Sequence, residues 1–397
     1  MRNSQVQIGI RWCQAFVLSA SMMFVVGANA GIKDDNPGER DAYNEALLSP
    51  DGKHFALTAE VDKQINLLIF NIETMQVVSA FGTNRNQDIL GFWWANNERV
   101  VVNMAIKNAL VDYPVLKGEL FALNIGNTLK FAVAGFSAGD KANYDFLDSN
   151  SVDDERIWVI RSDIRNRRLA LSNPIAYSLD IYKRYKQDTG SSVLDSRLQD
   201  KFNSPYTSGG FVADNASVLR LAYSIDRKGF LNISHLDRER QDWVEVGSFP
   251  TDVSRKQQID KNPIVGFDSA NKGVFYFTKP EHGTNGLSYL DVQTGETRVL
   301  YQHPKIDISA DDLIFSSGRD IVGVHLDGSN KPHFFSKHVE VPRLRGLANA
   351  FNGGRVDVLN YSKNGDMALL NVRGNGSGLY LFNAHDNSVS ILMPGNS

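Results

Sequence analysis

The sequence predicts an all-β fold, a seven-bladed β-propeller of four-stranded blades, from two repeated patterns. In the first, the stretch Tyr361–Leu392 repeats in altered form the stretch Leu48–Ala80. Each holds a Ser three residues before a Gly, then an apolar strand, a polar break and a Leu-x-x-Phe-Asn strand. The two Ser and Gly pairs are Ser49 with Gly52 and Ser362 with Gly365. A unit that recurs at both ends of a chain indicates an array of repeats.

The second pattern is a polar residue that closes a recurring strand. It stands at Asn71, Asn124, Asp237, Asp291 and Asn383. The successive separations of 53, 113, 54 and 92 residues are single or doubled steps of about 46 to 56, the period of a four-stranded blade. Seven steps of about 50 residues fill residues 45–392, which we predict to be the propeller.

The predicted blades are short apolar runs separated by Pro, Asn, Asp and Gly, a pattern typical of half-buried strands. In order, they are blade one (45–87), blade two (89–134), an irregular blade three with the strand Arg156–Ser162, blade four (209–249), blade five (263–303), blade six from Ile306, and blade seven in the repeated C-terminal stretch. Packing between blades explains the aromatic residues, including Trp93, Trp94, Trp158 and Trp243.

Two segments depart from the strand pattern. Blade six carries a predicted helix, His338–Phe351, which Asn352-Gly353-Gly354 would end as a C-cap. Blade three carries a group of basic residues, for which two interpretations stay open: a rim that meets an acidic or C-terminal carboxylate group, or a solvated loop and strand face, which the pattern favours. The group consists of Arg165, Arg167, Arg168, Lys183, Arg184 and Lys186.

The first 30 residues have the pattern of a secretory signal peptide. Arg2 and Arg11 precede the apolar run AFVLSASMMFVVG, and Ala28-Asn29-Ala30 provides a small-x-small cleavage site. Cleavage after Ala30 would leave a polar lead, residues 31–44, and a periplasmic or secreted protein without a membrane segment. An uncleaved N-terminal anchor is the alternative, although the run is short for a bilayer span of about 20 residues.

Composition excludes several classes of function. The one cysteine, Cys13, lies inside the predicted signal peptide, so the mature chain has no disulfide, no Cys nucleophile and no Cys metal site. The net charge of −3 and the lack of a Lys/Arg block interleaved with aromatic residues argue against binding to nucleic acid.

One motif has a catalytic form, Gly135-Phe136-Ser137-Ala138-Gly139, a G-x-S-x-G match. A nucleophile elbow needs a buried helix directly after the serine, and residues 140–155 are too polar to form one. No HGGG-like oxyanion segment precedes the motif. We therefore interpret it as a turn between blades.

No other residues form a recognisable site. The eight histidines lack the i, i+4 spacing of a helical metal site. The pairs Asp34-Asp35 and Asp311-Asp312 and the run Asp153-Asp154-Glu155 lie in turn-like segments, and no segment has the oxygen-rich loop that calcium needs. The sequence thus predicts no catalytic, cofactor-binding or metal-binding residue, and no cofactor.

In order and spacing, several segments resemble the propeller half of secreted bacterial prolyl-oligopeptidase-family serine peptidases. They are SPDGKHFAL, FVADNASVLRLAYSIDRKG with DWVEV, HPKID with DIVGV, and VDVLNYSKNGDMALLNVRGNGSGLYLFN. The resemblance covers about residues 41–392. It implies that an α/β-hydrolase domain carrying a Ser-Asp-His triad would follow the last blade, where this chain has only residues 393–397. No residue here matches that triad, so whether the chain acts as an enzyme stays open.

The resemblance implies a function. As in that family, the propeller would gate the access of peptide substrates and dock the hydrolase domain, which is missing or is a separate chain; this chain would then be a truncated, non-catalytic part of a peptidase. The alternative is a stand-alone periplasmic propeller that binds a peptide or a protein partner.

Overall fold

The chain folds into seven antiparallel sheets arranged as a ring, in a computed structural model that describes residues 45–61, 64–83, 86–106, 115–127, 130–140, 142–150, 153–165, 170–171, 173–183, 197–251, 262–279, 283–326 and 329–395. This confirms the predicted seven-bladed propeller. The predicted signal peptide and polar lead lie outside the described residues. No helix in the described part of the chain has the length and apolar character to cross a membrane.

Each sheet is a meander in which sequential strands pair, from the innermost strand outwards. The first three blades are formed by β1 (Glu45–Leu48), β2 (His54–Val61), β3 (Gln64–Asn71) and β4 (Val77–Phe81); by β5 (Gln87–Trp94), β6 (Arg99–Ile106), β7 (Val115–Asn124) and β8 (Lys130–Ala134); and by β9 (Ala142–Ser149), β10 (Arg156–Arg165), β11 (Ala170–Leu171), β12 (Ile175–Asp180) and β13 (Leu198–Asn203).

The remaining four blades repeat the same order. They are formed by β14 (Gly210–Ala213), β15 (Leu219–Ile225), β16 (Phe230–Asp237) and β17 (Asp242–Pro250); by β18 (Ile264–Phe267), β19 (Gly273–Thr278), β20 (Gly286–Asp291) and β21 (Thr297–Gln302); by β22 (Leu313–Phe315), β23 (Ile321–His325) and β24 (Pro332–Phe334), followed by α1 (Val341–Ala350); and by β25 (Arg355–Tyr361), β26 (Met367–Arg373), β27 (Gly378–Asn383) and β28 (Ser388–Pro394).

Two blades differ in their strand number. In blade three, β11 forms a short extra strand against the end of β10. In blade six the described sheet has three strands, and α1 follows β24. Val341, Leu344 and Leu347 stand on one face of α1 and are buried in the core shared with blade seven. The predicted end of the helix is confirmed, because Asn352 and Gly353 adopt left-handed backbone angles directly after it.

The hydrophobic core lies between the blades. In the described residues it divides into seven clusters, each of which joins two neighbouring blades. Both faces of a blade are therefore covered, which explains why every side chain of β6 except Ile106 is buried. Trp94 and Trp158 belong to these cores as predicted, and Trp94 also lines the central channel; Trp93 lines the channel and belongs to none of the clusters.

Four of the five repeated polar residues at the strand ends hold turns, whereas Asn124 accepts a hydrogen bond from Nε of Arg99. The Oδ1 atom of Asp291 accepts hydrogen bonds from the backbone N–H groups of Gln293 and Thr294, both at 2.9 Å, and these bonds lower the pKa of Asp291. Asn71 accepts the N–H of Thr74 in the same way. Such side-chain turns favour Asn and Asp, which is why the residue type recurs in the sequence.

The ring closes without exchange of a strand between its ends. Blade one consists only of residues from the N-terminal part and blade seven only of residues from the C-terminal part. The amide of Asn360 joins them: its Oδ1 accepts the N–H of Leu48 at 2.8 Å, and its Nδ2 donates to the carbonyl of Leu48 at 3.0 Å. The N–H of Lys363 donates to the carbonyl of Pro50 at 2.8 Å.

Candidate ligand site at the mouth of the channel

A cavity of about 1090 Å³ opens at one end of the central channel. We call this end the mouth; it is where the innermost strand of each blade turns into the second strand. All seven blades contribute lining residues. The antiparallel order places residue 45, where β1 begins, and residue 394, where β28 ends, at the opposite end of the channel.

Hydrogen bonds between neighbouring blades surround the mouth. From blade one around the ring, the bonds are Trp94 Nε1 to Leu47 O (3.2 Å), Asn96 Nδ2 to Asp154 O (2.7 Å), Trp158 Nε1 to Ser217 O (2.8 Å), Asn215 Nδ2 to Asp268 O (2.7 Å), Ser269 Oγ to Asp320 Oδ2 (2.7 Å), Tyr361 Oη to Phe315 O (3.2 Å) and the Lys363 bond described above. Every blade interface has at least one such bond. The mouth is therefore held in a fixed shape by its own rim.

The wall of the cavity is half apolar and half polar. Trp93 and Phe146, from blades two and three, stack with ring centroids 4.7 Å apart. Three innermost strands have a β-bulge there, at Leu147, Val265 and Leu359, and all three residues line the cavity. A bulge changes the direction in which a side chain points. Because it recurs, it adds aliphatic side chains to the channel wall.

Charged residues divide the mouth into two sides. Glu98 on blade two and Asp148 and Asp154 on blade three line one side, whereas Arg319 on blade six and Lys363 on blade seven line the other. Among the described residues, the side chains of Arg319 and Lys363 have no ion-pair or hydrogen-bond partner, and both are exposed. The mouth thus presents unpaired charges of opposite sign on opposed walls.

Enclosure by the channel changes the acidity of its carboxyl groups. Burial raises the pKa of Asp148 to about 6, and the guanidinium of Arg319 and the N–H of Ser149 partly offset this effect. Deeper in the channel, Asp145 is in contact with solvent yet surrounded by the blades, which raises its pKa. These shifts indicate that the channel solvates a carboxylate less well than bulk water does.

The G-x-S-x-G motif lies at the opposite end of the channel, in the connection between blades two and three. Phe136–Ala138 form one 3-10 turn, and β9 follows instead of a helix. The N–H of Ser137 donates to Oε1 of the buried Glu119 at 2.6 Å, and Gly135 and Gly139 take left-handed backbone angles. The interpretation as a turn between blades is confirmed.

The other candidates from the sequence do not meet in one place. The described residues contain no group of three or more His, Cys, Asp or Glu side chains that is able to hold a metal ion. His325 is buried against the carbonyl of Val356, and burial lowers its pKa. Of the basic group in blade three, Lys183 pairs with Asp180 at 3.0 Å on a solvated surface. The side chains of its other members, like His282, lie outside the described residues.

Of the charged residues of the mouth, sequence reasoning singled out Asp154 alone, within a turn-like run, and missed the others. Arg319 and Lys363 each follow, within a turn, a Ser that caps that turn: Ser316 accepts the N–H of Asp320 and Ser362 that of Met367, both at 3.0 Å. The Ser spacing used to find the repeats therefore also locates residues of the mouth.

Comparison with protein-family models gives no match, and comparison with curated proteins gives none. Solved structures similar to this chain include dipeptidyl peptidase 4 of Porphyromonas gingivalis (12% identity, 90% of this chain and 60% of that one, TM-score 0.44). Others are a puromycin-hydrolysing peptidase of Mycobacterium tuberculosis (9%, 90% and 53%, 0.47) and oligogalacturonate lyase of Vibrio parahaemolyticus (11%, 87% and 78%, 0.44). The chain thus spans little more than half the length of the two peptidases. At these identities the likeness concerns the fold alone.

Proposed function

We propose that this chain is the non-catalytic propeller of a prolyl-oligopeptidase-like serine peptidase, in which the mouth admits peptides and excludes folded proteins. The observation that carries the proposal is the cavity itself. Its wall combines apolar side chains with charged groups on opposed sides, and polar groups placed in this way fix the orientation of a ligand. Its volume of about 1090 Å³ suits a short peptide and is far too small for a folded domain.

The position of the chain ends supports the part of the proposal that assigns catalysis to a separate hydrolase domain. Both ends of the described propeller lie away from the mouth, so a hydrolase domain joined to the chain would cover the opposite end of the channel. The channel would then lead peptides from the mouth to the catalytic serine of that domain. The catalytic serine would belong to the partner, because Ser137 lies on a turn without a following helix.

Calorimetric titration with the pentapeptide Ala-Ala-Phe-Ala-Ala tests the binding half of the proposal. We expect saturable binding and a change in the fluorescence of Trp93, which lines the cavity. A Trp93→Phe variant should lose most of that change in fluorescence, with the remainder from Trp94, while calorimetry still detects binding. A folded protein that displays the same five residues in a loop should not bind. Absence of saturable heat with the free peptide would refute a peptide site.

A fluorophosphonate probe, which labels activated serines, tests the catalytic half. We expect no labelling of this chain alone and labelling when the hydrolase domain is supplied, and the genomic sequence that follows the coding region is the place to look for that domain. Labelling of the chain alone that disappears in Ser137→Ala would overturn the non-catalytic assignment.

A stand-alone propeller that binds a peptide or protein partner is the second candidate. One observation favours it: the ring is closed by the amide of Asn360 and needs no strand from another domain. Peptide binding by the chain, together with a downstream sequence that lacks any hydrolase motif, would decide for this candidate.

A further inference from the structure

Arg319 occupies a backbone position that glycine or a small polar residue occupies in other blades. In five blades, the turn after the innermost strand contains a residue whose N–H donates to the carbonyl three residues earlier and whose φ lies between 54° and 76°. These residues are Gly52, Ser217, Asn271, Arg319 and Gly365. A long side chain is unfavourable in the left-handed region, and strained positions of this kind are concentrated at functional sites.

The turn that carries Arg319 is fixed from both sides. Ser317 is held by Glu340, with Oγ to Oε1 at 2.6 Å and N to Oε2 at 3.2 Å, and Arg343 holds Glu340 in turn at 2.8 Å. On the other side, Ser269 of blade five donates to Asp320. The guanidinium is therefore presented to the cavity from a rigid base, although its own side chain has no ion-pair partner among the described residues.

The opposed wall carries a carboxylate within electrostatic reach. Asp148 stands on blade three, three blades away from Arg319 in a ring of seven, and it is close enough for the guanidinium to act on its charge. The two side chains form no ion pair with each other. A ligand that spans the mouth would therefore meet a carboxylate at one end and a guanidinium, with the ammonium of Lys363 on the next blade, at the other.

The size of the cavity limits the length of such a ligand. A sphere of 1090 Å³ is about 13 Å across, which an extended chain of about four residues spans. The free amino and carboxyl termini of such a peptide carry charges opposite in sign to those of the two walls. An internal segment of a longer chain brings no such pair of charges.

We infer that the mouth binds short peptides by both ends, with the amino terminus at Asp148 and the carboxylate at Arg319 and Lys363. This inference rests on the proposed function, since it names the class of peptide that the same cavity prefers. It makes Arg319 and Asp148 specificity-determining residues for peptides of about three to five residues with free termini.

The experiment is a calorimetric titration of four forms of tetra-alanine: free, N-acetylated, C-amidated and blocked at both ends. We expect each block to weaken binding about tenfold, as for the loss of one charge-assisted contact. In Arg319→Gly the free peptide should bind about tenfold more weakly, and amidation should cost less than in the unchanged protein, because only Lys363 is left to hold the carboxylate. In Asp148→Asn the free peptide should bind about tenfold more weakly, and acetylation of the amino terminus should no longer matter.

Matched controls separate this effect from a general loss of charge. Arg240→Gln removes an exposed guanidinium from an outer turn. Asp242→Asn alters a carboxylate that accepts the N–H of the next residue at 2.8 Å, as Asp148 does, but lies on an outer strand. Both should leave all four titrations unchanged. Arg319→Gly should also raise the Tm, because glycine relieves the backbone strain, so weaker binding by this variant would not reflect misfolding.

The outcomes distinguish this inference from the proposed function. If the doubly blocked peptide binds as tightly as the free one, peptide binding stands and recognition of the ends is refuted. The same holds if amidation costs as much in Arg319→Gly as in the unchanged protein. If none of the four forms binds, the peptide site itself is refuted.

Discussion

Removal of the amide of Asn360 tests how the ring is closed. In Asn360→Ala, Leu48, which is 1% exposed, loses the partner of both its N–H and its carbonyl. A buried backbone group without a partner costs about 1–3 kcal/mol. Two such groups, the N–H and the carbonyl of Leu48, would together cost about 2–6 kcal/mol. Water in the channel is able to replace part of the loss, so we expect the free energy of unfolding to fall by about 2–3 kcal/mol.

The assay is urea unfolding followed by tryptophan fluorescence and circular dichroism, with the midpoint compared at unchanged m value. Asn375→Ala is the matched control in the same blade, since Asn375 is exposed and makes a single bond at 3.3 Å. It should change stability by no more than about 0.5 kcal/mol. If Asn360→Ala falls within that limit, the amide does not close the ring, and the packing between blades one and seven is sufficient.

Three further predictions concern stability. Burial raises the pKa of Glu45 from 4.5 to about 7. The charged form of Glu45 therefore opposes folding above pH 7 and has no effect below pH 4.5. Glu45→Gln should stabilise the protein by up to about 3 kcal/mol at pH 8.5 and not at pH 4, as measured by urea unfolding at both pH values. Trp94→Phe keeps an aromatic side chain but removes the hydrogen bond from Nε1 to the carbonyl of Leu47. This loss should lower the free energy of unfolding by about 1 kcal/mol in the same assay. Arg319→Gly should gain about 0.5–1 kcal/mol, because relief of left-handed strain exceeds the greater flexibility of glycine in the unfolded chain; an unchanged or lower midpoint would contradict this.

The blade repeat was predictable because the interactions that produce it are local. Asp291 holds a turn formed by the next residues of the chain, and Ser49 accepts the N–H of His54 at 3.0 Å within its own turn. Each such bond restricts the residue type at one position and so leaves a mark in each blade that contains it. The same reasoning placed the end of α1, where Asn352 and Gly353 adopt the left-handed conformation.

Ring closure was not predictable because it depends on one distant pair. Asn360 and Leu48 are 312 residues apart, and the sequence around Asn360 reads as an ordinary strand. The irregular blades have a similar explanation. The helix of blade six was predicted, but not what it packs against: the face of α1 that carries Leu344 and Leu347 packs against blade seven, which comes later in the chain.

The charged mouth lies between these two cases. No single turn reveals it, because the charges oppose one another only after seven turns converge at one end of the ring. Yet the spacing of three residues that pairs Ser49 with Gly52 also pairs Ser316 with Arg319. An arginine at a repeat position where the backbone favours glycine is a conflict between a residue and its local structure, and such conflicts are expected at functional sites. Extending the repeat to blade six would therefore have identified Arg319 from the sequence. Asp148, on the opposed wall, carries no comparable mark in the sequence, since an Asp at the end of an innermost strand is an ordinary turn residue. Only the closed ring of blades places it opposite Arg319.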